Sequence, residues 1–156
     1  MNFRFSGLPL EPFKAAFALS DAELLAQGMR RYVADSKPGF PCRVTLEDAE
    51  PGEEVILLSY AHQPADRSPY RAEGPIFVRQ AAKASYQNQA EIPPVLPGRL
   101  LSLRGYDADD LMVEAEVVEG GDLEAELGKF FSSDAVAYIH IHYARRGCFA
   151  CRVDRR

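Results

Sequence analysis

Turn-forming residues interrupt this chain at short intervals, and that punctuation constrains its fold more than any other feature. Pro38-Gly39-Phe40-Pro41, Pro51-Gly52, Gly74-Pro75, the group Pro93, Pro94 and Pro97, and Gly120-Gly121 each break regular structure. The stretches between them are of strand type. Phe3 and Phe5 alternate with Arg4 and Ser6, and residues 53–61 hold the run Val55-Ile56-Leu57-Leu58. Ile76-Phe77-Val78 forms a second apolar run. Residues 99–106 and 111–118 read as a hairpin around Asp107-Ala108-Asp109-Asp110, and 135–143 and 148–154 as another around Ala144-Arg145-Arg146-Gly147. Most of these connections are too short for a crossover helix, so antiparallel pairing is expected.

Two segments carry helical signals instead. Ser20-Asp21-Ala22-Glu23 has capping-box spacing, and Gly28 is placed to end a helix over 20–27. Residues 29–34 then read as a strand. Asp122 is a candidate cap for a second helix, whose stripe is Leu123, Leu127, Phe130 and Phe131. The segment 81–98 is the longest irregular one, and such loops are often functional. His62 to Glu73, with Pro64 and Pro69, reads as a polar loop. The expected architecture is α+β, a mostly antiparallel sheet of seven or eight strands with two short helices packed on it. At 156 residues the chain fits a single domain over 1–156, large enough to bury roughly 70% of its unfolded surface without a disulfide or metal.

The start, Met1-Asn2-Phe3-Arg4-Phe5, lacks the charged and apolar regions of a signal peptide, and no apolar run is long enough to span a bilayer. Three cysteines, Cys42, Cys148 and Cys151, form an odd set best read as free thiols in a reducing cytoplasm. A net charge of −5 argues against nucleic acid as a partner, since such binding rests on cations neutralising phosphates. The charge is uneven. From Asp107 to Asp134 ten acids face Lys129 alone, and from Ala144 to Arg156 five arginines face Asp154 alone. Those opposite segments either attract within one chain or form a self-complementary homodimer contact.

The C-terminal hairpin concentrates the reactive side chains. In Tyr138-Ile139-His140-Ile141-His142-Tyr143, alternation puts His140 and His142 on one face and the isoleucines on the other. A two-residue turn brings Cys151 to the histidine face, and a three-residue turn brings Cys148. Either register supplies two imidazoles and one thiolate, the ligand set of an open zinc or iron site, with His140, His142 and Cys151 as metal candidates. No cofactor is required by this pattern, because buried cysteines and half-wet histidines are the ordinary outcome. A catalytic reading takes Cys148 as nucleophile, with Arg145 and Arg146 as positive neighbours and His140 or His142 as base. Cys148 and Cys151 cannot form a disulfide on one strand, since their Cα atoms would lie about 10 Å apart.

Arginines on loops beside rigid strands suit carboxylate or phosphate. Arg43 follows the Pro38–Pro41 turn, Tyr70 and Arg71 precede the strand at Ile76, and Arg79 ends it; these four are the ligand-binding candidates. No phosphate-binding glycine loop, H-E-x-x-H, G-x-S-x-G or dinucleotide fingerprint occurs.

Gly39-Phe40-Pro41-Cys42-Arg43, Leu46-Glu47-Asp48-Ala49, Pro51-Gly52-Glu53, Gly74-Pro75-Ile76-Phe77-Val78-Arg79, His140-Ile141-His142 and Arg146-Gly147-Cys148-Phe149 resemble a bacterial family catalogued as domain of unknown function 1203. The resemblance implies a small bacterial single-domain protein and transfers no activity or catalytic residue. The function expected is therefore a cytoplasmic binding module for a small anionic ligand or a protein partner. The alternative is a metal- or thiol-dependent enzyme built on the His/Cys hairpin.

Overall fold

The computed structural model describes residues 2–88 and 91–156; Met1, and the Gln89 and Ala90 part of the irregular segment 81–98, lie outside them. The architecture is α+β and almost wholly antiparallel, but the strands divide into two sheets instead of one. In chain order they are β1 (Phe3–Ser6), β2 (Arg30–Val33), β3 (Glu54–Gln63), β4 (Ala72–Arg79), β5 (Gln87–Asn88), β6 (Leu100–Tyr106), β7 (Met112–Glu119), β8 (Tyr138–Tyr143) and β9 (Phe149–Arg155). The larger sheet runs β5-β1-β9-β8-β6-β7 and the smaller β2-β3-β4.

The two α-helices are α1 (Asp21–Ala26) and α2 (Leu123–Phe130). At α1 the expected capping box is present in both directions. The Glu23 amide donates to Ser20 Oγ at 3.2 Å, and the Ser20 amide donates to Glu23 Oε2 at 2.7 Å. Asp122 precedes α2 without a side-chain cap, because Gly120–Asp122 already forms a 3-10 turn leading into it. A further 3-10 helix, Glu11–Ala18, occupies the segment that Pro9 and Pro12 mark as a loop. Proline in the first turn suits such a start, where its missing N–H has no helical partner anyway.

The main core lies between the larger sheet and α2. Phe3, Phe5, Leu101, Leu103, Ile139, Ile141, Cys151 and Val153 point from the strands to Leu123, Leu127 and Phe130. Two separate small clusters pack on either face of β3. Leu24, Ala16 and Ile56 lie on one face, and Ala34, Ala49 and Val55 with Phe40 and Phe77 on the other. Close backbone approach fixes one junction: a Cβ on Gly120 would stand 2.1 Å from Leu96 O, so only glycine fits where β7 ends.

The two sheets meet across β8. The sequence suggests that His140 and His142 occupy a half-wet face, yet every residue of β8 is buried. β8 sits between β9 and β6, α2 covers one face, and the far end of β3 reaches over the other through Gln63 and His62. No helix among the described residues is long and apolar enough to cross a membrane.

Candidate functional site

Two features gather chemistry at the junction of the sheets: a histidine cluster on one face of β8, and an arginine-lined cavity at its turn end. The chain has only three histidines, and all of them meet. One ring nitrogen from each of His62, His140 and His142 lies within 4.8 Å of the others.

Register slips create this convergence. The β3–β4 ladder shifts between Tyr60 and Gln63, the β6–β7 ladder between Gly105 and Tyr106, and the β8–β9 ladder between Ile141 and His142. These bulges re-aim the side chains beside them. The first places His62 and the third Phe149, whereas Tyr106 reaches the cluster through the regular β6–β8 ladder, opposite Tyr138. His62 stacks on Phe149, with centroids 5.2 Å apart and rings 6° from parallel. Tyr106 and Tyr138 each lie 5.2 Å from His140. Sequence periodicity ends the β3 strand at Ala61 and leaves His62 in a loop. The strand in fact continues to Gln63, and the usable signal was the small number of histidines itself.

Burial governs the protonation of the cluster. Desolvation, then the charge of Arg152, brings His140 down to about 3. Burial also brings His142 down to about 3, against the opposing effect of its bond to Gly147. His62 is half-buried and lowered by desolvation and by Arg104. All three are neutral imidazoles near pH 7. His142 Nδ1 lies 3.0 Å from Gly147 O, a contact that requires the proton on Nδ1 and leaves Nε2 with a free lone pair. Alongside, Gln63 Nε2 donates to Tyr138 Oη at 2.8 Å, and Tyr138 Oη donates to Asp110 Oδ1 at 2.5 Å. Burial and that bond to Asp110 push the Tyr138 phenol up to about 12, so it stays a donor.

Neither cysteine joins the histidines. Nearest the turn, His142 faces Phe149, the pairing that would carry Cys151 to His140. Ala150 then bulges, so Cys151 faces Ile141 on the core side. Burial raises the Cys151 thiol and makes it inert. Cys148 is half-buried, and its hydrogen-bond partner is Arg43 Nη2 at 3.1 Å, not an imidazole. The His142 ring is turned to Gly147 instead, so the pairing of Cys148 with a histidine base is not formed in this structure.

The cavity, about 600 Å³, opens beside Cys148 between the sheets. Phe40, Phe77 and Tyr143 supply aromatic wall, and Arg43, Arg99, Arg145 and Arg146 supply charge. Arg43 is 2% exposed and is fixed by three acceptors: Phe149 O at 2.7 Å, Pro41 O at 2.5 Å and Cys148 Sγ. Arg99 binds both oxygens of Asp48, at 2.7 and 3.0 Å. Both guanidiniums lie over the Tyr143 ring, at 4.9 and 5.2 Å from its centroid. Arg145 and Arg146 are exposed in the β8–β9 turn, where neither has a carboxylate partner among the described residues. Glu119 is the one acid in the lining.

Of the loop candidates, only Arg43 reaches this cavity. Arg79 is clasped by Glu53 at 2.5 Å and Glu47 at 2.9 Å, and its guanidinium closes β4 onto the loop before β3. Arg71 pairs with Asp66 at 3.5 Å on the surface. Tyr70 packs edge-on against Tyr106, beside the histidine cluster. In the basic tail, Arg155 donates to the carbonyls of Phe131, Ser133 and Val136. The tail is thus tied within its own chain to the acidic segment's end.

Fold and site together define a class: a two-sheet α+β protein with a closed histidine cluster and an arginine-lined cavity flanking one central strand. The chain belongs to the family described as protein of unknown function (DUF1203), whose family model matches residues 39–155. That span includes the three histidines, Arg43, Cys148 and all four cavity arginines. No curated protein and no solved structure matches the chain.

Proposed function

We propose that this protein is a binding module for a small anion with an apolar body, held in the cavity beside Cys148. One observation carries the reading: four guanidiniums and three aromatic rings line a 600 Å³ space that contains a single carboxylate. A cavity of that size encloses a small organic ligand, with apolar walls giving affinity and a few polar groups giving orientation. Arg43 and Arg99 are already satisfied by protein acceptors, so they contribute fixed positive potential over Tyr143. Arg145 and Arg146 have donors to spare and are the groups that grip a carboxylate or phosphate. A non-catalytic role is supported by Cys148 having no imidazole base, since His142 is turned to Gly147, and by Cys151 being sealed in the core. All three cysteines are free thiols, which supports a reducing, cytoplasmic setting.

Isothermal titration with aryl carboxylates and aryl phosphates, set beside their uncharged amides and alcohols, tests this. The anions bind and the neutral compounds do not, and an Arg145→Ala, Arg146→Ala double variant weakens the anions roughly tenfold, the order of one charged hydrogen bond. Equal binding of neutral and anionic members, or an unaffected double variant, contradicts the reading.

A further inference from the structure

The histidine cluster lies on the face of β8 opposite the core, apart from the anion cavity, and no part of the binding reading uses it. Buried polar atoms are nearly always partnered, so an unpartnered one needs a physical account. Here three occur together. His62 Nδ1, His140 Nδ1 and His142 Nε2 are each buried with no hydrogen-bond partner among the described residues. They belong to the same three rings whose nitrogens converge within 4.8 Å.

We propose that His62, His140 and His142 form a three-histidine site for a divalent transition metal of zinc type. Four observations meet there. The rings come from two sheets, so the site exists only in the folded chain and a bound ion would pin β3 to β8. Each ring carries a buried nitrogen without a hydrogen-bond partner among the described residues, a need that a metal ion would satisfy. His142 is oriented by Nδ1 against the Gly147 carbonyl, the kind of outer contact that fixes a ligating histidine's tautomer and aims Nε2 inward. The bulges that place His62 and Phe149 break the regular ladder at the very positions that bring the rings together.

The ligand set also restricts the ion. Three neutral nitrogens, with no thiolate or carboxylate in the group, suit zinc, cobalt(II), nickel(II) or iron(II) and exclude a calcium or magnesium preference. At Zn–N distances of about 2.0–2.1 Å, tetrahedral ligand nitrogens stand roughly 3.4 Å apart. The rings therefore draw together by at most about 1.4 Å on binding, and half-buried His62 is the one with room to move. Arg104 and Arg152 lie near enough to lower the histidines and oppose a dication for the same reason. A fourth ligand bearing negative charge, such as hydroxide, offsets them. Three protein ligands leave that fourth position open.

The test uses full-length, tag-free protein, titrated with Co²⁺ and with Zn²⁺ at neutral pH. The expected result is one equivalent of tightly held metal, a cobalt spectrum typical of four-coordinate nitrogen ligation, and three paramagnetically shifted imidazoles in the proton NMR spectrum. Since the chain has three histidines, all of its imidazoles shift. His62→Phe preserves the ring stacked on Phe149 and is expected to lose at least tenfold in affinity while keeping the native circular dichroism. Wild-type protein that refuses both metals, a cobalt complex with fewer than three shifted imidazoles, or undiminished binding by a folded His62→Phe variant overturns the site. The NMR count is made on the wild type, so it decides the matter even if a variant fails to fold. Neither result bears on the arginine cavity.

Discussion

Cys151 stands opposite Ile141 across the β8–β9 ladder, and both side chains are fully buried. This one pairing separates the thiols from the imidazoles and leaves Cys148 as the only half-exposed cysteine. An uncharged alkylating reagent applied to the folded protein is expected to modify Cys148 and to spare Cys42 and Cys151, with all three reacting in denaturant. Peptide mass mapping reads the result. Modification of Cys151 as fast as Cys148 would mean that Ala150 does not bulge and that the register is the simpler one.

Arg43 is a strut before it is a ligand group. Replacing it with Met leaves the carbonyls of Pro41 and Phe149 buried without their donor, at roughly 1–3 kcal/mol each. The expected loss is about 3 kcal/mol in urea unfolding, and Arg43→Lys does not restore it, because one ammonium cannot reach three acceptors held by a planar fork. A loss below about 0.5 kcal/mol would show that the buried guanidinium is not holding the turn.

Arg79 gives the pH dependence. Its hydrogen bond is the main cause that lowers the Glu53 carboxyl below the ordinary glutamate value. A depressed carboxyl adds stability above its unfolded pKa of about 4.3, and that contribution drains away as pH falls through the folded value. Arg79→Met should therefore be less stable than wild type by about 1 kcal/mol near pH 7, with the two stabilities converging as pH falls through the lowered Glu53 value. A gap that persists unchanged at pH 3 would assign the loss to packing and not to the ion pair.

Gly120 permits no side chain. Its Cβ would meet Leu96 O at 2.1 Å and Pro97 C at 2.8 Å, both backbone atoms that cannot swing aside. Gly120→Ala is expected to cost about 3 kcal/mol, read as a fall of roughly 6–12 °C in Tm. An unchanged Tm would place the end of β7 further from the Leu96 loop than the structure has it.

Local signals in the sequence were sufficient for most elements. The Ser20 and Glu23 pair delivers α1, the Leu123, Leu127 and Phe130 stripe delivers α2, and the Asp107–Asp110 turn joins β6 to β7. What periodicity could not show was parity. A single inserted residue, as at Ala150, reverses which face every later side chain meets, and hydrophobic alternation carries no mark of it. Cys151 was misplaced for that reason, and His62 was hidden because β3 runs on past Ala61 through a bulge. The division into two sheets was equally silent, since it depends on which strands meet across 40 or more residues, as Gln63 and Tyr138 do. Arg43 was legible as an isolated cation after a turn, but its burial follows only from contacts with Phe149 and Cys148 at the far end of the chain.

The most direct test of the anion-binding account is the rate at which iodoacetamide modifies Cys148, which lines the cavity. Phenylacetate is expected to slow that modification with rising concentration, while phenylacetamide, of the same shape without the charge, leaves it unchanged. Protection by both compounds alike, or by neither these nor any aryl phosphate, would contradict the claim that this cavity receives an anion.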